Sequence, residues 1–246
     1  MVIKSSLDGL KVLITRPQHQ AGELCRLVED AGGEAIAFPT INIVPLVIKS
    51  SGKHALDKYD IIIFVSRNAV AYFDAQLQAS LAQDILAVAI GTSTAQHMHK
   101  KGFKAVVKPV TPAGSESVLA MPELHNVEGK QVLIVRGQDG RELLADTLTE
   151  RGATVSYLEV YQRALPSPTQ QQLDQAKQAE CIIISSVNSL ENLCQLVGEE
   201  NCKNKRLIVV SNRIKQYAIG QGFKQIDVAV DASDTALMEQ LIKVDK

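Results

Sequence analysis

The sequence predicts an α/β protein of two similar lobes, each built on a doubly wound parallel sheet. Three observations carry this expectation. Short β-branched runs alternate with helical patterns along the chain, an order that implies parallel strands joined by right-handed crossovers. The strand-like runs are continuously apolar, as for strands covered on both faces. The chain also matches itself without gaps over a long stretch when slid by 120 positions, the mark of an internal duplication. At roughly 150 residues per domain, 246 residues leave room for one to two domains.

The elements follow in order. Residues 12–15 form a continuous apolar strand. Residues 20–31 place Leu24, Leu27 and Val28 at helical spacing, and Gly32-Gly33 ends that helix, because glycine takes the left-handed cap without penalty. Residues 35–38 and 61–65 are the next strands, the latter followed by a helix over about 68–77. Then come a strand at 87–90, a helix at 94–101 capped by Gly102, a strand at 105–107 and a helix beginning at 115–121. The second half repeats the order. Lys11-Val12-Leu13-Ile14-Thr15-Arg16-Pro17 falls on Gln131-Val132-Leu133-Ile134-Val135-Arg136-Gly137, Gly32 on Gly152, and Gly102-Phe103-Lys104 on Gly222-Phe223-Lys224. Two proline-bracketed segments, 39–46 and 159–166, hold equivalent positions and read as strand-like connectors, since proline interrupts a ladder.

Composition excludes several functions. A net charge of −1 argues against a general nucleic-acid partner. An aromatic content of 4% with no Trp argues against a base-stacking platform. The first eight residues lack the apolar run of a signal peptide, and no stretch approaches the ~20 apolar residues of a membrane span. A cytoplasmic protein without a membrane partner is expected, and a monomer, because no long apolar stretch asks for a second copy. Cys25, Cys181, Cys194 and Cys202 show no paired metal spacing and read as reduced thiols, mostly in the core. His97 and His99 are two apart on a predicted helix and point to different faces, so no metal site is expected. His19, His54 and His125 have no obvious partner.

Ligands of parallel α/β sheets bind beyond the carboxyl ends of the strands. The residues that follow the strands are therefore the candidates. They are Thr15 and Arg16; Ser66, Arg67 and Asn68; Gly91, Thr92 and Thr94; Ser115; Arg136, Gly137 and Arg141; Ser186; and Arg213. Small hydroxylated residues and glycines at helix starts leave N–H groups open to anions. The same residue types also serve as plain N-caps, and each one alone is explained that way. The set is more specific, because five of nine arginines (Arg16, Arg67, Arg136, Arg141, Arg213) sit near predicted strand ends. That pattern points to a polyanionic small molecule gripped by forked guanidinium contacts. No P-loop, no dinucleotide fingerprint after a strand and no Ser/His/Asp arrangement is present. Chemistry here would rest mainly on positioning, with one or two acid/base groups.

Val12-Leu13-Ile14-Thr15-Arg16-Pro17, Phe64-Val65-Ser66-Arg67-Asn68-Ala69-Val70, Ala89-Ile90-Gly91-Thr92-Ser93-Thr94-Ala95, Arg136-Gly137 with Arg141-Glu142-Leu143-Leu144, and Leu158-Glu159-Val160-Tyr161-Gln162-Arg163 stand in one order. That ordered set resembles the uroporphyrinogen-III synthase family over nearly the whole chain. The resemblance implies two α/β lobes joined by a two-stranded connector: residues 1–38 plus 167–246, residues 47–157, and connector strands at 39–46 and 158–166. It implies as substrate hydroxymethylbilane, a linear tetrapyrrole with eight carboxylates. It implies loss of its hydroxyl as water, inversion of the terminal pyrrole ring through a spiro intermediate, and ring closure with no cofactor. Tyr161 matches the family's tyrosine of catalytic interest and by resemblance gives a proton or hydrogen bond to the departing hydroxyl. A plain packing role at the hinge is the other reading of that residue. A free phenol, with pKa ~10, is protonated near neutrality and so acts as an acid. Val187 stands where the first half has Arg67, and Gly137 where it has Pro17, so the substrate pose cannot be symmetric. Two other readings stay open on the residues: a non-catalytic two-lobed binding protein for an anionic metabolite, and a nucleotide-sugar transferase.

Overall fold

The computed structural model describes residues 7–47, 56–82, 84–110, 113–138 and 140–244. The leader reading at residues 1–6 and the reading of His54 lie outside these. Among the described residues, the strands are β1 (Lys11–Ile14), β2 (Glu34–Ala37), β3 (Asn42–Pro45), β4 (Ile61–Phe64), β5 (Leu86–Ala89), β6 (Gln131–Gly137), β7 (Thr154–Ala164), β8 (Cys181–Ile184), β9 (Arg206–Val209) and β10 (Ile226–Val228). The helices are α1 (Gln18–Asp30), α2 (Arg67–Tyr72), α3 (Ala75–Ala79), α4 (Thr92–Lys100), α5 (Ser115–Leu119), α6 (Leu143–Glu150), α7 (Gln170–Lys177), α8 (Val187–Val197), α9 (Glu200–Lys203), α10 (Asn212–Gly220) and α11 (Asp234–Val244). None is long and apolar enough to cross a membrane. The chain divides into two compact units, one of Met1–Asn42 with Ala164–Lys246, the other of Ile43–Arg163. Both divisions fall inside the segments read as connectors.

The first unit holds a five-stranded sheet in the order β10-β9-β8-β1-β2. Its strand pairs are parallel. Side chains alternate between its faces, and each face has its own core. Val12, Ile14, Cys181, Ile183 and Ile208 pack with Leu24 and Val28 of α1 and Leu237 and Leu241 of α11. Leu13, Ile182, Ile184, Leu207 and Val209 pack on the other face with Leu190 and Leu193 of α8 and Ile214 of α10. Cover on both faces is why these runs carry no polar residue. It also drives the Cys181 thiol up to about 12.

The second unit holds a five-stranded sheet in the order β3-β7-β6-β4-β5. β5, β4, β6 and β7 run parallel. Ile62, Phe64, Leu133 and Val135 meet α2, α3 and α4 through Ala69, Val70, Leu77, Ala95 and Met98. Phe64 meets the rings of Phe73 and Phe103 edge-on, at 5.2 and 5.3 Å between centroids. Ile61, Ile63, Val132 and Ile134 face α5 and α6 through Val118, Leu144 and Leu148. Gly32 after α1 and Gly152 after α6, partners under the repeat, turn the chain at φ of 86° and 85°. That left-handed backbone favours glycine.

The structure departs from the sequence expectations in three places. The segments read as connectors are sheet strands of the second unit: β3 lies at its edge, and residues 159–164 continue β7. Pro45 is tolerated there because an edge strand need not donate to a neighbour. The expected strand at 105–107 reduces to one bridge between Val107 and Val88. Pro109 two residues on has no N–H with which to extend it. The helix expected over 68–77 is two helices, because Phe73 is extended and Asp74 starts a new cap by accepting from the Leu77 N–H at 2.8 Å.

A knot of buried hydroxyls closes the first unit. The Thr15 hydroxyl donates to the Ile183 carbonyl at 2.7 Å, and the Ser189 hydroxyl donates to Thr15 Oγ1 at 2.9 Å. Thr40 Oγ1 lies 2.7 Å from Ser189 Oγ, and the Asn192 amide donates to the Thr40 carbonyl at 2.8 Å. Ser189→Ala leaves two buried threonine hydroxyls short of a partner, at a cost of about 1–3 kcal/mol. Its urea midpoint is expected to fall; an unchanged midpoint would mean that the knot contributes nothing.

Candidate active site at the carboxyl edges of the sheets

Parallel pairing places the carboxyl ends of β1, β2, β8, β9 and β10 at one edge of the first sheet. Four sequence candidates follow those strands, and their environments differ sharply. Thr15 is 1% exposed, and its hydroxyl is committed to the knot. Arg16 also turns inward. Its guanidinium donates to the Asp234 carboxylate and the Ala232 carbonyl, and its side chain is 11% exposed. It ties the exit of β1 to the first residue of α11. Ser186 caps α8, its hydroxyl oxygen accepting from the Ser189 N–H at 3.0 Å. Arg213, in the first turn of α10, projects into solvent.

The corresponding edge of the second sheet gathers more. Ser66 caps α2, accepting from the Ala69 N–H at 2.9 Å, and Arg67 beside it is exposed. Asn68 is half-buried in the same turn. Gly91 opens α4 and Gly114 opens α5, neither with a side-chain cap, so the first amides of both helices lack that partner. Gly91 is required sterically, because a Cβ there would stand 2.4 Å from that of Ala113. Thr92 is exposed and Ser115 half-buried at these helix starts, whereas Thr94 is turned into the core at 4% exposure. Arg141 is 77% exposed, with Glu116 at 3.9 Å.

Tyr161 reaches this edge through a bulge. Across β6 and β7, Arg136 pairs with Glu159 but Gly137 pairs with Tyr161, so Val160 is the extra residue. Successive side chains of a regular strand point to opposite faces. Here Val160 and Tyr161 both enter the same core cluster, because the bulge re-aims the chain. The Tyr161 ring fills the space over Gly137, where a Cβ would come within 2.5 Å of two ring carbons. The ring is 2% exposed and lies 6.1 Å from that of Tyr72. Its hydroxyl stands 3.1 Å from Ser66 Oγ. Gly137, a ligand candidate in the sequence, is thus the seat of the tyrosine.

On the opposite face of β6 and β7, Arg136 spends both terminal nitrogens on carboxylates, and its buried Nε has no hydrogen-bond partner among the described residues. Its guanidinium contacts Glu142 at 2.9 Å and Glu159 at 3.3 Å. It stacks 3.7 Å over the Tyr157 ring. The Tyr157 hydroxyl donates to Glu142. Arg136 is 8% exposed, so it braces the edge and presents no open fork to a ligand. The Tyr157 hydrogen bond and the Arg136 charge hold Glu142 below the usual carboxylate range. Burial, and then the Glu142 carboxylate, push the Tyr157 phenol up to about 12. Tyr157, Glu142 and Glu159 were not among the sequence candidates. For Tyr157 and Glu159 the signal was the strand period, which places both on one face of β7 beside Arg136. Among the described residues no group of His, Cys, Asp and Glu could hold a metal.

Parallel-dominated sheets covered by helices define an α/β protein, a class whose ligands bind beyond the carboxyl ends of the strands. The family profile "Uroporphyrinogen-III synthase HemD" matches residues 22–239. The uroporphyrinogen-III synthases of Escherichia coli and Salmonella typhimurium are each 34% identical, over 94% of this chain and 100% of their own length. Uroporphyrinogen-III synthetase from Helicobacter pylori shares the fold, with a TM-score of 0.70 at 18% identity over 96% of this chain and 99% of that one. The chain belongs to the uroporphyrinogen-III synthase family.

Two predictions follow from these contacts. Glu142→Gln is expected to bring the Tyr157 phenol down from about 12 toward the ordinary range, read by phenolate absorbance. The raised phenol favours the fold below its unfolded value of ~10, and that contribution is lost as pH rises toward the folded value. A stability curve flat over that alkaline interval would contradict it. Gly137→Ala is expected to destabilise the wild-type background strongly but a Tyr161→Ala background little. Equal costs in the two backgrounds would mean that the ring does not occupy the space over residue 137.

Proposed function

We propose that the chain closes hydroxymethylbilane into uroporphyrinogen III, with Tyr161 serving the loss of the terminal hydroxyl as water. Family membership makes it a cyclising hydro-lyase of porphyrin biosynthesis. The binding-protein and nucleotide-sugar transferase readings fall with it. One observation supports the role of Tyr161 above others. The bulge at Val160 turns its phenol onto Gly137 and brings the hydroxyl to the Ser66 cap. The phenol there donates to the departing hydroxyl, and the electron-rich pyrrole expels the protonated group. The terminal ring then inverts through the spiro intermediate before closure. Loss of water and rearrangement of a pyrrole need only proton transfers and positioning, so the scheme uses no cofactor and no metal.

The substrate carries eight carboxylates. Arg67, Arg141 and Arg213 are the exposed arginines among the candidates and are read as its cationic contacts. Thr92, Ser115 and the uncapped first amides of α4 and α5 supply donors for further carboxylates. Arg16 and Arg136 act indirectly, by bracing the strand exits. We read the two units as the halves of a duplication that exchanged their first two strands. The sheet orders support this, since β1 and β2 lie beside β8, while β6 and β7 lie beside β4. The enzyme is taken as a cytoplasmic monomer that meets a small-molecule substrate, with no nucleic-acid or membrane partner.

Freshly made hydroxymethylbilane tests this reading. The III isomer is expected above the uncatalysed I isomer, and I alone would refute it. Tyr161→Phe is expected to slow single turnover about 10²-fold, within the range of a general acid, while leaving some III isomer. An unchanged single-turnover rate would remove the catalytic role. Arg67→Ala and Arg213→Ala are each expected to raise KM about ten-fold with little change in kcat.

A further inference from the structure

Ser66 stands between two groups that differ in kind. Its oxygen accepts from the Ala69 N–H at 2.9 Å, the ordinary duty of an N-cap. The same oxygen lies 3.1 Å from the Tyr161 hydroxyl. The other unit separates these duties. Ser186 occupies the equivalent position under the repeat and caps α8 in the same way, at 3.0 Å from the Ser189 N–H. The repeat partner of Tyr161 is Ile41, which has no hydroxyl. The cap is therefore common to both units, and the contact with a phenol belongs to one of them.

A serine hydroxyl has one proton and two acceptor sites. The Ala69 amide fills one acceptor site and polarises the O–H, which strengthens it as a donor. Tyr161 has one proton as well. If that proton is spent on Ser66, nothing remains for a leaving group. We propose that Ser66 is the positioning residue of Tyr161, donating its hydroxyl proton to the phenol oxygen so that the phenol proton is left for the substrate. The inference rests on reading Tyr161 as the proton donor. The step balances without any other reagent. The C–O bond of the hydroxymethyl group breaks, its oxygen leaves with the Tyr161 proton as water, and the Ser66 O–H holds the resulting phenolate. The proton shed when the macrocycle closes and the pyrrole regains its aromaticity restores the phenol. Gly137 completes the arrangement by letting the ring lie close enough to the strand for its oxygen to meet Ser66.

Capping and donation can be separated by substitution. Asp caps a helix about as well as Ser, and Gly costs only a few tenths of a kcal/mol there, yet neither has a hydroxyl proton. Ser66→Asp and Ser66→Gly are therefore expected to keep the thermal midpoint and the KM of the wild type while losing about 10²-fold in kcat. Ser66→Thr, which keeps both cap and hydroxyl, is expected to stay within about three-fold. Adding either variant to Tyr161→Phe is expected to cost no more than Tyr161→Phe alone, because the two residues act as one unit. Full kcat in Ser66→Asp and Ser66→Gly, with Tyr161→Phe impaired, would overturn the inference and leave the role of Tyr161 standing. Losses that add independently would overturn it too. Full kcat in Tyr161→Phe itself would instead remove the reading beneath it.

Discussion

Residue 137 has no side chain, and the ring of Tyr161 lies in the space that one would occupy. Much of the second sheet's carboxyl edge is arranged around that contact. β7 can lay a ring over β6 because the register slips by one residue, leaving Val160 unmatched. The slip turns Tyr161 onto the face that carries α2, where the Ser66 cap is within hydrogen-bond reach. Across the strand pair, Arg136 and Glu159 remain in register and face the other way, with Arg136 paired to both Glu159 and Glu142 and stacked on Tyr157. One missing Cβ and one extra residue thus divide the edge into a phenol-bearing face and a bracing face.

The charges sort by the same logic. A guanidinium turned away from water needs partners, and Arg16 and Arg136 have them in Asp234, Glu142 and Glu159. Arg67 and Arg213 sit at helix starts in solvent, and Arg141 is exposed beside the Glu116 carboxylate. The five arginines that look alike in the sequence are therefore of two kinds, an exposed set and a paired set that holds the strand exits.

Much of this was legible in the sequence, for physical reasons that particular residues show. The run Ile61–Phe64 has no polar residue because both faces of β4 are covered, and the spacing of Leu24 and Val28 marks the buried face of α1. Gly32 and Gly152 stood out because only glycine turns those helix ends cheaply. The site was harder to read. Serine and threonine at strand ends fit caps, buried knots and ligand donors equally well, and Ser186, Thr15 and Ser66 turn out to differ only through their neighbours. Which arginines turn inward depends on distant carboxylates such as Asp234, more than two hundred positions from Arg16, and no local pattern records that. The bulge did leave a trace. Gly137 at the end of a strand run is the signal of a close approach, but the approaching residue is named only by the register.

If the seated phenol delivers the proton with which the substrate's hydroxyl leaves, its O–H bond breaks as water is lost. The solvent deuterium isotope effect on single-turnover loss of water from hydroxymethylbilane, measured for the wild type and for Tyr161→Phe at matched pH and pD, tests it most directly. A normal effect is expected in the wild type, from the O–H bond proposed to break at Tyr161, and a different effect in the variant, where bulk water would supply that proton. The same isotope effect in both proteins would rule out proton delivery by Tyr161.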